Sequence, residues 1–191
     1  MSDKEDHYYI EKVLAGESSA FAVLVDRHKN NVFNICVKIT NSKEEAEEAA
    51  QDTFLKVFDK LKTFKQEAKF STWLYRIAYN TSISKQRKNT WTKQKTDDYD
   101  INEHTESELI DALYEESIEE RELKLRSAIG KLAPDEQLLL QLYYDKDMST
   151  EEIATITELT KSNVKVKIHR ARKQLFNLLQ PIPPVKSTSY E

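Results

Sequence analysis

The chain has 191 residues, with 29 Lys and Arg against 33 Asp and Glu, a net charge of −4, and one cysteine. A single thiol excludes an internal disulfide framework, no apolar run approaches the ~18 residues of a membrane span, and the charged N-terminus is unlike a signal peptide. With only 2 Gly and 4 Pro, the expected protein is all-α, cytoplasmic and built from two small helical domains.

The net charge conceals an uneven distribution. Residues 1–90 carry 15 basic and 13 acidic side chains, residues 91–120 carry 2 and 11, and residues 121–191 carry 12 and 9. Two mildly basic ends therefore flank a strongly acidic middle.

The first helix is expected from His7 to Ala15, with Ile10, Val13 and Leu14 apolar and Gly16 ending it. Ser18 or Ser19 can cap a second, in which Phe21, Leu24, Val25, His28, Val32, Ile35, Cys36 and Ile39 share one face. Cys36 on that face reads as core. Asn41 and Ser42 open a third helix with acids in its first turn, as the helix dipole prefers. Its Ala46, Ala49, Ala50, Thr53, Phe54, Val57, Phe58 and Leu61 keep helical spacing. A fourth follows Phe70, with Ser71 as its cap, Trp73, Leu74, Ile77 and Ala78 on its apolar side, and the basic run Lys85-Gln86-Arg87-Lys88 at its end. These faces suffice for a three- or four-helix core.

The acidic middle lacks apolar periodicity until about Leu109, so it reads as an exposed linker whose end runs into a helix. The expected division is a first domain over 1–92, the linker over 93–120, a second domain over 121–180 and a disordered Pro-rich tail over 181–191. In the second domain Leu123, Leu125, Ile129 and Leu132 mark one helix. Pro134 suits the first turn of the next, which runs to about Tyr144.

Residues 149–175 then form two helices joined by a tight turn. Ser149 and Glu152 make an S-x-x-E capping box, and Ile153, Ala154 and Ile156 give the first helix an apolar side. Glu158, Leu159 and Thr160 form the turn, and Thr160 can cap the second helix. There Val164, Ile168, Ala171, Leu175 and Leu179 define a buried stripe. The other faces carry Lys161, Lys165, Lys167, Arg170, Arg172 and Lys173 with no acid among them. The plain reading is a helical hairpin with a solvated basic side. Against it, each phosphate neutralised by such a helix releases counterions, and Ser162, Asn163 and His169 on the same helix can reach base edges. A short helix behind a long basic one fits a major groove. His169 has no ligand set nearby, so no metal is expected. No Gly-rich phosphate loop, metal cluster or nucleophile–His–acid set points to an enzyme or a cofactor.

Three blocks in this order, AEEAAQDTFLKVFDKLKTF, FSTWLYRIAYNTSI and EEIATITELTKSNVKVKIHRARKQL, resemble the extracytoplasmic-function group of bacterial sigma-70-type factors over roughly residues 8–180. The resemblance implies a dissociable subunit of RNA polymerase that recognises and opens promoters without catalysing a reaction. Its first domain would read and melt the −10 element and hold the polymerase β′ clamp; its second would read the −35 element and pack on the β flap. An anti-sigma factor is a further implied partner. Membrane insertion is not expected.

By the same resemblance, Glu48, Gln51 and Asp52 on the third helix face the polymerase, where carboxylates suit an Arg-bearing partner helix. The loop Phe64-Lys65-Gln66-Glu67-Ala68-Lys69-Phe70 matches the family segment that captures a flipped −10 base, which favours amide and aromatic groups. Phe64, Lys65, Gln66, Glu67 and Asn80 are the candidates there. Tyr75, Arg76, Lys85, Arg87 and Lys88 look like DNA-backbone contacts, and Trp73 reads as core. Ser162, Lys165, Val166, His169 and Arg170 fall at −35-reading positions, while Lys161, Lys167, Arg172 and Lys173 suit phosphates. Two departures stand out. Glu158, and Asp147 or Met148, replace glycines of the family pattern, and Val166 replaces a serine. The main rival is a free-standing helix-turn-helix regulator, which leaves the second block and the acidic face without a role; an adaptor or decoy that keeps the fold without the DNA contacts is another.

Overall fold

The computed structural model describes residues 3–89 and 117–179, with side chains from Glu5 to Gln86 in the first stretch. Residues 93–116 of the expected linker, the tail over 181–191, and the side chains of Arg87 and Lys88 lie outside the described residues. Among the described residues every regular element is helical.

The first unit begins with α1 (Asp3–Leu14), which ends before Gly16 at φ +104. Neither Ser18 nor Ser19 caps the next helix by its side chain. A 3-10 turn, Ser18–Ala20, satisfies the local donors through its own backbone bonds and runs directly into α2 (Phe21–Thr40). On α2, Leu24, His28, Val32, Ile35, Cys36 and Ile39 are all buried, as their spacing requires. Burial also pushes the Cys36 thiol up, against a hydrogen bond from Ser82 that lowers it. α1 is clipped to α2 by the buried Asp6–His28 pair at 2.9 Å and by Arg27 on Glu5 at 2.7 Å.

Asn41 ends α2 in the left-handed region (φ 53), returning its N–H to the Val37 carbonyl, a place usually given to glycine. Ser42 then caps α3 (Lys43–Lys60) by accepting from the Glu45 N–H. α4 (Phe70–Asn89) packs across α2 and α3 and buries Phe70, Leu74, Tyr75 and Ala78. Ser71 is not its cap, because the helical bonding already starts at Lys69, whose carbonyl accepts from the Trp73 N–H.

The second unit holds α5 (Ile118–Gly130), α6 (Pro134–Leu140), α7 (Thr150–Thr157) and α8 (Lys161–Leu179). A reciprocal capping box between Ser117 and Glu120 starts α5, so residues 118–120 at the end of the expected linker already run in the helix. Leu123 and Leu125 lie in this helix as expected, but they are 67% and 42% exposed. α5 meets α8 through its C-terminal part, where Ala128 and the following Leu132 are buried. Pro134 opens α6 as expected, and Gln141–Asp145 continue it as a wider π turn. Ser149 and Glu152 form the second reciprocal box at the start of α7. Ser149→Ala should destabilise the protein by about 1 kcal/mol; a urea midpoint equal to that of the parent would contradict the cap.

The units pack together. α4 lies against α7 and α2 against α6, where Lys38 donates to Gln137 at 2.7 Å. One hydrophobic cluster includes buried residues of both units.

Candidate nucleic-acid interface

α7 sits behind α8, with Ile153 and Ile156 buried on one side and Val164, Ile168 and Ala171 on the other. Leu175 and Leu179 continue the stripe half-buried. The turn between the helices closes by placing Glu158 at φ +59, the left-handed conformation a glycine would adopt freely. An L side chain there costs on the order of 1 kcal/mol. Thr160 accepts from the Asn163 N–H at 3.2 Å, capping α8 as expected.

Opposite the buried stripe, Ser162, Asn163, Lys165, Val166, His169 and Arg170 are exposed on one long helix. Val166 is 45% exposed, an apolar contact point amid polar neighbours. Two of the six cations have acidic partners from other helices: Lys161 pairs with Glu151 and Lys167 with Asp135. The Lys161 ammonium is the main reason the Glu151 carboxyl is pushed down to about 2. These acids precede α8 in the chain and were not part of its own pattern. Arg172 lines an open, largely apolar groove with Tyr144, Leu175 and Phe176 against Val37 of α2, and Lys173 is half-buried.

The loop over residues 64–69, expected to capture a base, follows a 3-10 turn, Leu61–Thr63. Lys65, Gln66 and Glu67 are exposed, and Gln66 takes φ 60. Phe64 is half-buried, its ring 5.7 Å from Phe70 and 5.2 Å from Trp73. The three rings anchor the loop to the start of α4, so polar groups are displayed from an apolar base. Trp73 belongs to this cluster, as its reading as core requires.

Further along α4 the exposed Arg76 guanidinium and the Asn80 amide both donate to one oxygen, Oε1 of Glu158 in the α7–α8 turn. The distances are 2.9 and 3.3 Å from Arg76 and 3.1 Å from Asn80. The Asn80 hydrogen bond, then that of Arg76, holds the Glu158 carboxyl below its ordinary range. Lys69 makes a second bridge between the units, 2.9 Å from Glu152.

One backbone-contact expectation is corrected, that for Tyr75. Tyr75 is only 3% exposed. α4 is covered by α2 on the side where Tyr75 lies, and burial pushes the phenol up to about 12 despite a hydrogen bond with Asn31. Lys85 is held by α3 carboxylates, 2.9 Å from Glu48 and 3.2 Å from Asp52. The Glu48 hydrogen bond is the largest cause raising its amine.

Lys85 thereby joins the surface expected to face polymerase. Glu48 and Gln51 are exposed and Asp52 half-buried. Beside them Leu55 is 66% and Phe58 42% exposed, the latter edge-on to Phe21. Sequence reasoning gave Phe58 only helical spacing and passed over Leu55. The signal was available, because Leu55 follows Gln51 by four residues and Glu48 by seven, one helical face. Among the described residues no group of His, Cys, Asp and Glu is arranged to hold a metal, and no helix is long and apolar enough to cross a membrane.

This arrangement has counterparts. Residues 24–92 match the Sigma-70 region 2 family and residues 122–175 match Sigma-70, region 4. The ECF RNA polymerase sigma factor SigW of Bacillus subtilis is 31% identical, with 91% of this chain and 96% of that protein covered. The structure of CnrH in complex with the cytosolic domain of CnrY superposes with a TM-score of 0.61 at 24% identity, covering 91% of this chain and 96% of the other. That of the Bartonella quintana sigma factor RpoE with the anti-sigma factor NepR gives 0.59 at 19% identity over 83% and 96%. Two family matches that together span most of the described residues, in the order region 2 then region 4, and a relative 31% identical over nearly the whole chain lead to one conclusion: the chain belongs to the extracytoplasmic-function group of the sigma-70 family of RNA polymerase sigma factors.

Proposed function

We propose that this sigma factor works in the cytoplasm by joining core RNA polymerase through α3 and reading a bipartite promoter with its two units. Residues 1–92 would take the −10 element, residues 121–180 the −35 element, and residues 93–120 the path between them. The observation that carries the reading is the pairing, in one chain, of an exposed basic helix behind a capped turn with an aromatic-based loop displaying Lys65, Gln66 and Glu67. Single-stranded bases stack on aromatic groups and are read by amides, which suits Phe64, Gln66 and Asn80. Ser162, Lys165, Val166, His169 and Arg170 would read the −35 groove edge. Lys161, Lys167, Arg172 and Lys173 would meet phosphates, and Arg76 the −10 backbone. Asn163 lies in the first turn of the same helix and can reach either. An anti-sigma factor is a natural regulator, as one accompanies the similar RpoE fold.

The test is transcription from a promoter library randomised at both elements, using core polymerase with and without the purified chain. Transcripts should depend on the chain, while the chain alone binds DNA weakly. Tight sequence-specific binding by the free chain, with no transcription when polymerase is added, would sink the reading. For the polymerase face, the double change Glu48→Ala and Asp52→Ala should weaken core binding about tenfold, or ~1.4 kcal/mol. Folding stability should move by less than about 1 kcal/mol, since the Glu48 and Asp52 carboxylates that pair with Lys85 remain substantially solvated. Equal core affinity in a titration of labelled protein would move the polymerase contact off α3.

A further inference from the structure

The bridges between the units are ordered. Lys69, immediately before α4, and Arg76 and Asn80 on it are spaced seven and four residues apart, which keeps them on one face. Across from them, Glu152 lies in the first turn of α7 and Glu158 caps its end. At 1.5 Å per residue, Lys69 to Arg76 spans about 10 Å and Glu152 to Glu158 about 9 Å. Two cations on one helix therefore meet two carboxylates on the other in register, Lys69 with Glu152 and Arg76 with Glu158. The second contact is the more specific. One carboxylate oxygen receives two guanidinium nitrogens and an amide nitrogen, the donor set that suits a phosphate oxygen.

We propose that the helix-turn-helix unit folds back on α4 as an intramolecular mimic of DNA, with the Glu158 carboxylate standing where a −10 strand phosphate binds Arg76 and Asn80. The inference rests on the assignment of those two residues to the −10 element. Arg76 and Asn80 cannot serve Glu158 and a phosphate at once, so the free chain is closed at its −10 surface. Its reading positions Ser162, Lys165, Val166 and His169 stay exposed. Opening requires something that holds the units apart, and polymerase binding both units supplies it. The family pattern often has glycine where Glu158 stands, and a glycine there could not make this contact. Glu158 also occupies a strained position at φ +59 that glycine would relax, and the bonds to Arg76 and Asn80 offset that cost.

The test uses the full chain. Zero-length carbodiimide coupling should join Lys69 to Glu152, 2.9 Å apart, and peptide mass spectrometry gives the yield. Glu158→Gly suits the backbone at φ +59 and leaves both coupled residues in place. It should lower the intramolecular yield about three- to fivefold, the scale of a well-formed exposed ion pair. Glu158→Arg, facing Arg76, should lower it by more, and pairing it with Arg76→Glu should restore it. In parallel, the free Glu158→Gly chain should bind a fluorescein-labelled pool of random single-stranded 12-mers several-fold tighter than the parent at low salt. A missing Lys69–Glu152 product in the parent, or yields in both Glu158 variants equal to the parent's, overturns the clamp whatever DNA contacts Arg76 makes. A lowered yield with unchanged strand binding overturns the mimicry, and with it the placing of Arg76 and Asn80 on the −10 strand.

Discussion

Replacing Phe70 with alanine is expected to destabilise the protein by about 3–5 kcal/mol, the range for emptying a buried aromatic site. Phe70 is among the largest fully buried side chains, 2% exposed at the first position of α4. Its ring meets His28 of α2 at 5.5 Å, Phe64 at 5.7 Å and Trp73 at 6.0 Å. These neighbours come from two helices and a loop, so no single side chain can swing in to fill the space. A loss of that size is a large share of the ~5–15 kcal/mol that folded domains possess. The loop bearing Lys65, Gln66 and Glu67 would also lose the ring beneath Phe64. Urea unfolding followed by circular dichroism measures the loss, and Phe70→Leu should cost distinctly less. A loss under 1 kcal/mol for alanine would show that the aromatic cluster does not support the loop.

The second large effect lies on α8. Arg170→Ala should reduce discrimination among −35 sequences by about 1–3 kcal/mol, roughly 6- to 150-fold, if its guanidinium grips a guanine edge with two bonds. Arg170 is exposed and no carboxylate from α6 or α7 engages it, whereas Lys161 and Lys167 have such partners. Holoenzyme binding to single-base variants of a selected −35 element reads the effect. Loss concentrated at one position supports base reading. Uniform weakening across all variants, with a salt slope lower by about one, assigns Arg170 to a phosphate.

What was legible in the sequence was local. The boxes at Ser149 and Glu152, the Thr160 cap and the place of Pro134 are written in residues three apart or fewer. The buried stripe of α8 and the face of α2 follow from one helix's period. Failures came where a second helix decided. Tyr75 looked like a surface group because its helix was read alone, but α2 covers it. Leu123 and Leu125 keep the spacing of their helix, but nothing in α5 announces that only its far end is covered. Lys85 pairs with acids 37 and 33 residues away, and Glu158 reaches a guanidinium 82 residues back. Charge partners at such separations leave no periodic trace. Glu158 was visible as an oddity in a turn, but what it holds required the packed structure.

Cys36 carries a different consequence. It is the only cysteine of the sequence, wholly enclosed on α2, with its thiol pushed toward the protonated form. Thiolates are the species that oxidants and electrophiles attack, and a buried protonated sulfur reacts with neither. The folded chain is therefore blind to oxidative stress through cysteine chemistry. An oxidant acting through cysteine would have to act on another molecule to change what this chain does.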